Sequence, residues 1–166
     1  FKNLHYLSKS FFNLPLKDKM LLNKKGYFPS TVNGKEGLDL SDPLIPESEV
    51  YIWSLKDLLI LSSYFEQLHN LGKLLYEMIK IDDNNFTRLN CASTLRFNHY
   101  PGGIDPVQIS DEKLSCEEHY DNSLFTILFQ DSYGGLEIQN NDIWHKVPYK
   151  ENQLVVNIGT ALETIS

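Results

Sequence analysis

The chain of 166 residues sets 15 Lys plus Arg against 22 Asp plus Glu, for a formal net charge of −7. That length fits one domain able to bury roughly two-thirds of its unfolded surface without a disulfide framework. The acidic balance, with no basic run longer than Lys24-Lys25, argues against phosphate backbones and anionic membranes, so neither nucleic acid nor membrane is an expected partner.

Phe1, Leu4, Leu7 and Phe11 recur at helical steps, which predicts an amphipathic helix ended by the Leu14-Pro15 step. Pro15 then opens a short second helix through Leu22. Between Lys24 and Glu49, the punctuators Gly26, Pro29, Gly34, Gly37, Pro43 and Pro46 predict a long irregular connection. Ser54 with Asp57 reads as a capping box, and Leu58, Leu61, Phe65, Leu68, Leu75 and Ile79 keep helical period for about 25 residues. Gly72 lies on this stripe, where it weakens the helix and permits close approach of another element. Asp82-Asp83-Asn84-Asn85 ends it.

From Asn90 the pattern changes to period two, with β-type runs at Cys91–Tyr100, Leu114–Tyr120, Leu124–Phe129, Leu136–Gln139, Ile143–Val147 and Leu154–Ile158. Pro101-Gly102-Gly103, Gly134-Gly135 and Asn140-Asn141-Asp142 separate several of them. Short strands with turn signals predict an antiparallel sandwich or barrel packed on the long helix, hence an α+β fold. Three regions follow: 1–53 helical, 54–89 the long helix, and 90–166 the strand-rich core. Asn122–Gln130 and Asn152–Leu162 are uncharged, but they reach only about half of the roughly 20 apolar residues a spanning helix requires. Cys91 and Cys116 fit no zinc or disulfide pattern, which makes a reducing, cytoplasmic setting the default expectation. The chain starts at Phe1 without methionine and stops at Ser166 after a strand-like run, so it reads as a fragment.

His119-Tyr120-Asp121 places an imidazole and a carboxylate two positions apart, on one side of an extended chain. Such a pair suits a divalent metal such as iron. Pairs of this kind also arise by chance, and the weight rests on their setting. Other polar candidates read more simply. Glu117-Glu118 are solvated acids, His5 and His69 are helix-surface residues, and Phe11, Phe12, Tyr64 and Phe65 follow core spacing.

The setting is distinctive. Leu95-Arg96-Phe97-Asn98-His99-Tyr100-Pro101 precedes the pair, a Leu- and Thr-containing strand follows it, and Gly134-Gly135-Leu136 and Asn157-Ile158-Gly159 come later. Ser10-Phe11-Phe12-Asn13-Leu14-Pro15 with Lys19, then Gly26-Tyr27, Trp53 and Leu68-x-x-Leu71-Gly72-x-x-Leu75, extend the pattern to the front half. With these motifs the sequence resembles the isopenicillin N synthase-like family of non-haem Fe(II), 2-oxoglutarate-dependent dioxygenases. The resemblance implies a double-stranded β-helix, or jelly roll, flanked by N-terminal helices and here incomplete at both ends. It implies His119 and Asp121 as two of three iron ligands, and Asn98 and Tyr100 as contacts to the 2-oxoglutarate carboxylate nearest the metal. His99 points to the opposite face and is expected to be structural.

The family's third ligand, a later histidine, and its Arg-x-Ser element have no match in these residues; His145, beside Trp144, occupies a strand that carries no ligand in the family. Thr160 stands where the family commonly has Asp, and Lys113–His119 is closest in flavour to isopenicillin N synthase itself. The implied activity is Fe(II)- and 2-oxoglutarate-dependent oxidation of a small organic molecule by dioxygen, releasing succinate and carbon dioxide. The alternatives are an Fe(II) oxidase of the isopenicillin N synthase type, which uses no 2-oxoglutarate, and a non-catalytic remnant of the fold. The fragment alone is expected to be inactive and, with Leu154–Ile158 as an apolar edge, prone to association.

Overall fold

Helix α1 (Lys2–Phe12) buries Leu4, Leu7, Phe11 and Phe12, the stripe that its apolar spacing dictates. It ends at Asn13, just before the Leu14-Pro15 step. After Pro15, helix α2 (Leu16–Lys19) runs into a 3-10 turn at Met20–Leu22. In this computed structural model residues 1–23, 25–29, 35–40, 53–79, 93–100 and 116–165 are described. The expected strand starts at Cys91 and Leu114, the Pro101-Gly102-Gly103 turn and the Asp82–Asn85 stop lie outside them. The chain divides into two units, Phe1–Leu71 with Asn84–Glu118, and Gly72–Asp83 with His119–Ser166.

In the first unit, β1 (Tyr27–Phe28), β2 (Glu36–Leu40) and β3 (Leu95–His99) form an antiparallel sheet in the order β1-β2-β3. This corrects the expected irregular connection between Lys24 and Glu49. The density of Gly and Pro concealed a strand in which Leu38, fully buried, pairs with Phe97. Gly26 explains part of that glycine content. Its φ of +109° is left-handed, and a Cβ there would lie 2.2 Å from the carbonyl oxygen of Asp39, so only glycine fits the entry to β1. The core joins this sheet to α1 through Leu7, Phe11, Tyr27, Leu38, Trp53, Leu61 and Phe97. Phe11 meets Tyr27 edge-on at 5.6 Å, and Trp53 meets Phe97 edge-on at 6.3 Å.

Helix α3 (Leu55–Ile79) has the 25 residues its periodicity requires. The capping box is present and reciprocal: the Ser54 amide donates to Asp57 Oδ2 at 3.1 Å, and the Asp57 amide donates to Ser54 Oγ at 3.2 Å. Gly72 differs from the expected close approach. Among the described residues a Cβ there would meet only Ile127 Cδ1, at 3.9 Å, an ordinary contact distance. No helix among the described residues is long and apolar enough to cross a membrane.

The second unit contains the antiparallel pairs β4 (Phe125–Leu128) with β7 (Val155–Ile158) and β5 (Glu137–Asn140) with β6 (Ile143–Lys146). β5 and β6 turn through Asn141 and Asp142, both at positive φ, where short polar side chains tolerate the left-handed conformation. All four strands fall where period two placed them. The run expected at Leu114–Tyr120 does not: Cys116–Tyr120 form no strand, and Glu117, Glu118, His119 and Tyr120 are exposed in succession, without the alternation a ladder imposes. Beyond β7 the chain turns at Gly159 into a short helix, α4 (Thr160–Ile165). Helices with antiparallel sheets make the fold α+β, as the sequence pattern implies.

One polar cluster lies inside the first unit. Lys19 and Glu36 side chains are each 9% exposed and bonded at 2.7 Å. Tyr27 Oη also donates to Glu36 Oε2 at 2.7 Å, His99 Nδ1 donates to Glu36 Oε1 at 2.8 Å, and Lys19 Nζ donates to the Phe12 carbonyl at 3.1 Å. Burial raises the Glu36 carboxyl pKa, but the hydrogen bonds from Lys19, Tyr27 and His99 outweigh it and leave the group below its ordinary 4.5. Burial first, and then the bond to the Glu36 carboxylate, push the Tyr27 hydroxyl well above its usual range.

Two outcomes follow. Gly72→Ala restores helix propensity without a clash, so it should stabilise the protein by about 0.5 to 1 kcal/mol in denaturant titration; a loss of stability would refute the open surroundings. Because the folded protein holds the Glu36 proton less tightly than the unfolded chain, this group's contribution is complete above pH 4.5 and is lost as pH falls through its lower folded value. Glu36→Gln should cost about 3 kcal/mol at neutral pH and flatten that acid limb in unfolding curves measured against pH. An acid limb unchanged by the substitution would contradict the cluster.

Candidate functional site

The ladder between β4 and β7 determines the position of the His119-Tyr120-Asp121 segment. Phe125 pairs with Ile158, and pairing continues beyond the strands: the Gly159 amide donates to the Leu124 carbonyl at 3.0 Å, and the Thr160 amide donates to the Asp121 carbonyl at 2.8 Å. Residues 122 and 123 are skipped, so the turn after Asp121 folds over position 159. A Cβ on Gly159 would lie 1.9 Å from the Ser123 carbonyl oxygen and 2.8 Å from that of Asp121. Glycine is therefore a steric requirement for seating this turn.

On the seated turn His119 Nε2 and Asp121 Oδ1 are 3.5 Å apart, with side chains 59% and 25% exposed. The extended-chain expectation that both point to one side holds in effect, although a pinned loop and not a strand brings them together. One imidazole nitrogen and one carboxylate oxygen this close, and open to solvent, can both touch a single divalent ion. They match two members of a two-histidine, one-carboxylate donor set, so the chemistry of the residues present fits iron. Among the described residues no group of three or more His, Cys, Asp and Glu side chains could hold a metal. His145, on β6, therefore does not complete the set.

Asn98 and Tyr100 belong to the first unit. β3 buries Phe97 on one face and exposes Arg96 and Asn98 on the other, and Tyr100, immediately after the strand, is exposed as well. Asn98 is paired with Gly37 of β2, and the Lys35 ammonium lies 5.7 Å from the centre of the Tyr100 ring. His99 occupies the opposite face, stacked on Phe12 at 5.0 Å and bonded to Glu36. Glu36 and the seating role of the Gly159-Thr160 step were not visible in the sequence. The Leu38/Leu40 alternation around Glu36 was the available signal for the first; the second depends on a ladder register that sequence does not display.

Three comparisons bear on this arrangement. A family model described as the 2OG-Fe(II) oxygenase superfamily matches residues 91–166. The sequence is 31% identical over 112 residues to 1-aminocyclopropane-1-carboxylate oxidase homolog 3 of Arabidopsis thaliana, covering 64% of this chain and 30% of the relative. It is also 31% identical over 116 residues to clavatol oxidase claD of Penicillium crustosum, covering 64% and 34%. A full-length Neurospora crassa protein, crystallised in complex with alpha-KG and 5-formyluracil, superposes with a TM-score of 0.80 at 26% identity, over 97% of this chain and 58% of that one. The chain thus spans about a third of the length of these curated relatives. Its helices and antiparallel sheets are part of the helix-flanked jelly roll of these oxygenases.

Gly159→Ala should displace the turn and destabilise the protein by about 2 kcal/mol or more, with faster exchange of the amides of residues 159 and 160, the donors to Leu124 and Asp121, than of those at Tyr27 or Leu38. A variant with wild-type stability and exchange would refute the seating of the turn.

Proposed function

We propose that the chain belongs to the 2OG-Fe(II) oxygenase superfamily, whose family model matches residues 91–166, and that the whole protein oxidises a small organic molecule using Fe(II), dioxygen and 2-oxoglutarate, releasing succinate and carbon dioxide. The observation that carries this reading is the convergence of His119 Nε2 and Asp121 Oδ1 at 3.5 Å on a turn pinned by backbone bonds. In this reading His119 and Asp121 hold the metal, with a histidine beyond these residues as third ligand. When bound, Fe(II) supplies dioxygen activation coupled to oxidative decarboxylation of the 2-oxoacid.

The chain's own groups bind and orient. Asp121 brings one negative charge to a divalent ion and His119 a neutral nitrogen, so the pair leaves net positive charge to attract an anionic cosubstrate. The Asn98 amide and the Tyr100 hydroxyl are donors suited to the carboxylate nearest the metal, and the Lys35 ammonium lies 5.7 Å from the centre of the Tyr100 ring. The Neurospora crassa protein was crystallised with alpha-KG and with 5-formyluracil, which supports 2-oxoglutarate as cosubstrate and a compact organic molecule as substrate class. Fe(II) and the reduced thiol of Cys116 both suit a reducing, cytoplasmic compartment.

The complete natural chain should convert 2-oxoglutarate to succinate in an Fe(II)-dependent way. His119→Ala and Asp121→Ala should each abolish this and greatly weaken iron binding. Wild-type binding in either variant would remove the metal assignment. Asn98→Ala and Tyr100→Phe should raise the 2-oxoglutarate concentration for half-maximal rate about tenfold, the worth of a hydrogen bond to a charged carboxylate. Unchanged dependence would make them turn residues only. Oxygen uptake by wild type without any 2-oxoglutarate would favour the oxidase chemistry instead.

A further inference from the structure

Asp121 is bonded twice by a residue 39 positions away. Its carbonyl oxygen accepts the Thr160 amide at 2.8 Å and the Thr160 hydroxyl at 3.3 Å, so one residue donates twice to one acceptor. The Ser123 and Thr126 hydroxyls bond each other at 3.2 Å across the same turn, and Gly159 admits nothing larger than hydrogen beneath it. The backbone of Asp121 is anchored from this side while its side chain, 25% exposed, lies beside His119. Rotation of the peptide at Asp121 would swing the carboxylate away from His119 and must first break both Thr160 bonds.

We infer that Thr160 is a positioning residue: its amide and hydroxyl together lock the Asp121 carbonyl and so aim the Asp121 carboxylate at the site shared with His119. The inference rests on the metal reading of His119 and Asp121. The amide bond is available to any residue at position 160 except proline, whereas the hydroxyl bond is available only to Thr or Ser. A backbone anchor of this kind acts on the pre-organisation of a ligand, and its loss appears as weakened metal affinity more than as a loss of fold.

Anaerobic calorimetric titration of the complete chain with Fe(II), paired with thermal unfolding of the metal-free protein, tests this. Thr160→Val, which keeps the shape and removes the hydroxyl, should raise the Fe(II) dissociation constant roughly three- to tenfold while the metal-free melting temperature changes little. Thr160→Ser should bind within about twofold of wild type. If Thr160→Val does not fold, Thr160→Ala against Thr160→Ser reads the same contrast. Equal affinities for wild type and the hydroxyl-free variants overturn the positioning role and leave the metal reading standing. A wild-type chain that binds no Fe(II) overturns both.

Discussion

A carboxylate inside a protein is tolerated only when donors surround it, and Glu36 has Lys19, Tyr27 and His99. That requirement organises the first unit. Lys19 comes from α2, Tyr27 from β1, Glu36 from β2 and His99 from β3, so one ion-centred cluster joins α2 to all three strands of the sheet that packs on α1. The lysine also donates to the last turn of α1 through the Phe12 carbonyl, which fixes the bend at Leu14-Pro15. Because His99 is held on the inner face of β3, Asn98 and Tyr100 are turned outward by strand alternation alone. Two residues of the front-half motifs, Lys19 and Tyr27, thus reach the same buried carboxylate.

The second unit solves a different problem, that of holding two polar side chains in place on a loop. Loops move unless their backbone groups are bonded. Here the β4–β7 ladder extends past its strands through Gly159 and Thr160 and captures the carbonyls of Leu124 and Asp121. The absence of a side chain at 159 lets the turn descend onto the ladder, and the hydroxyl at 160 adds a second bond to the same carbonyl. β7 pairs only with β4 among the described residues, and Val156 and Ile158 are 39% and 64% exposed.

Much of this was legible in the residues. Periodicity located α1, α3 and five of the strands to within a few positions, because burial of one face imposes a period that survives into the sequence. The Ser54–Asp57 cap and the inward or outward sense of Phe97, Asn98 and His99 followed from the same rules. β2 escaped notice because its glycine, Gly37, and the surrounding Gly and Pro look like loop, while its real credential is pairing with β3 some 60 residues away, which only tertiary structure reveals. Leu114–Tyr120 was expected as a strand because its composition alternates weakly, yet its described part, Cys116–Tyr120, pairs with no strand among the described residues and is largely exposed. The His119–Asp121 pair was singled out by spacing and family resemblance; the means by which it is held, a ladder register and a missing Cβ, are invisible without coordinates.

The central claim is that His119 and Asp121, aimed by the turn seated on Gly159 and Thr160, are ligands to one iron. A crystal structure of the complete chain, grown anaerobically with Fe(II) and read by anomalous scattering at the iron edge, tests it most directly. The predicted result is a single iron peak within bonding distance of His119 Nε2 and an Asp121 carboxylate oxygen, with the Thr160 bonds to the Asp121 carbonyl intact. Iron bound elsewhere, or no iron at these two residues, would contradict the account.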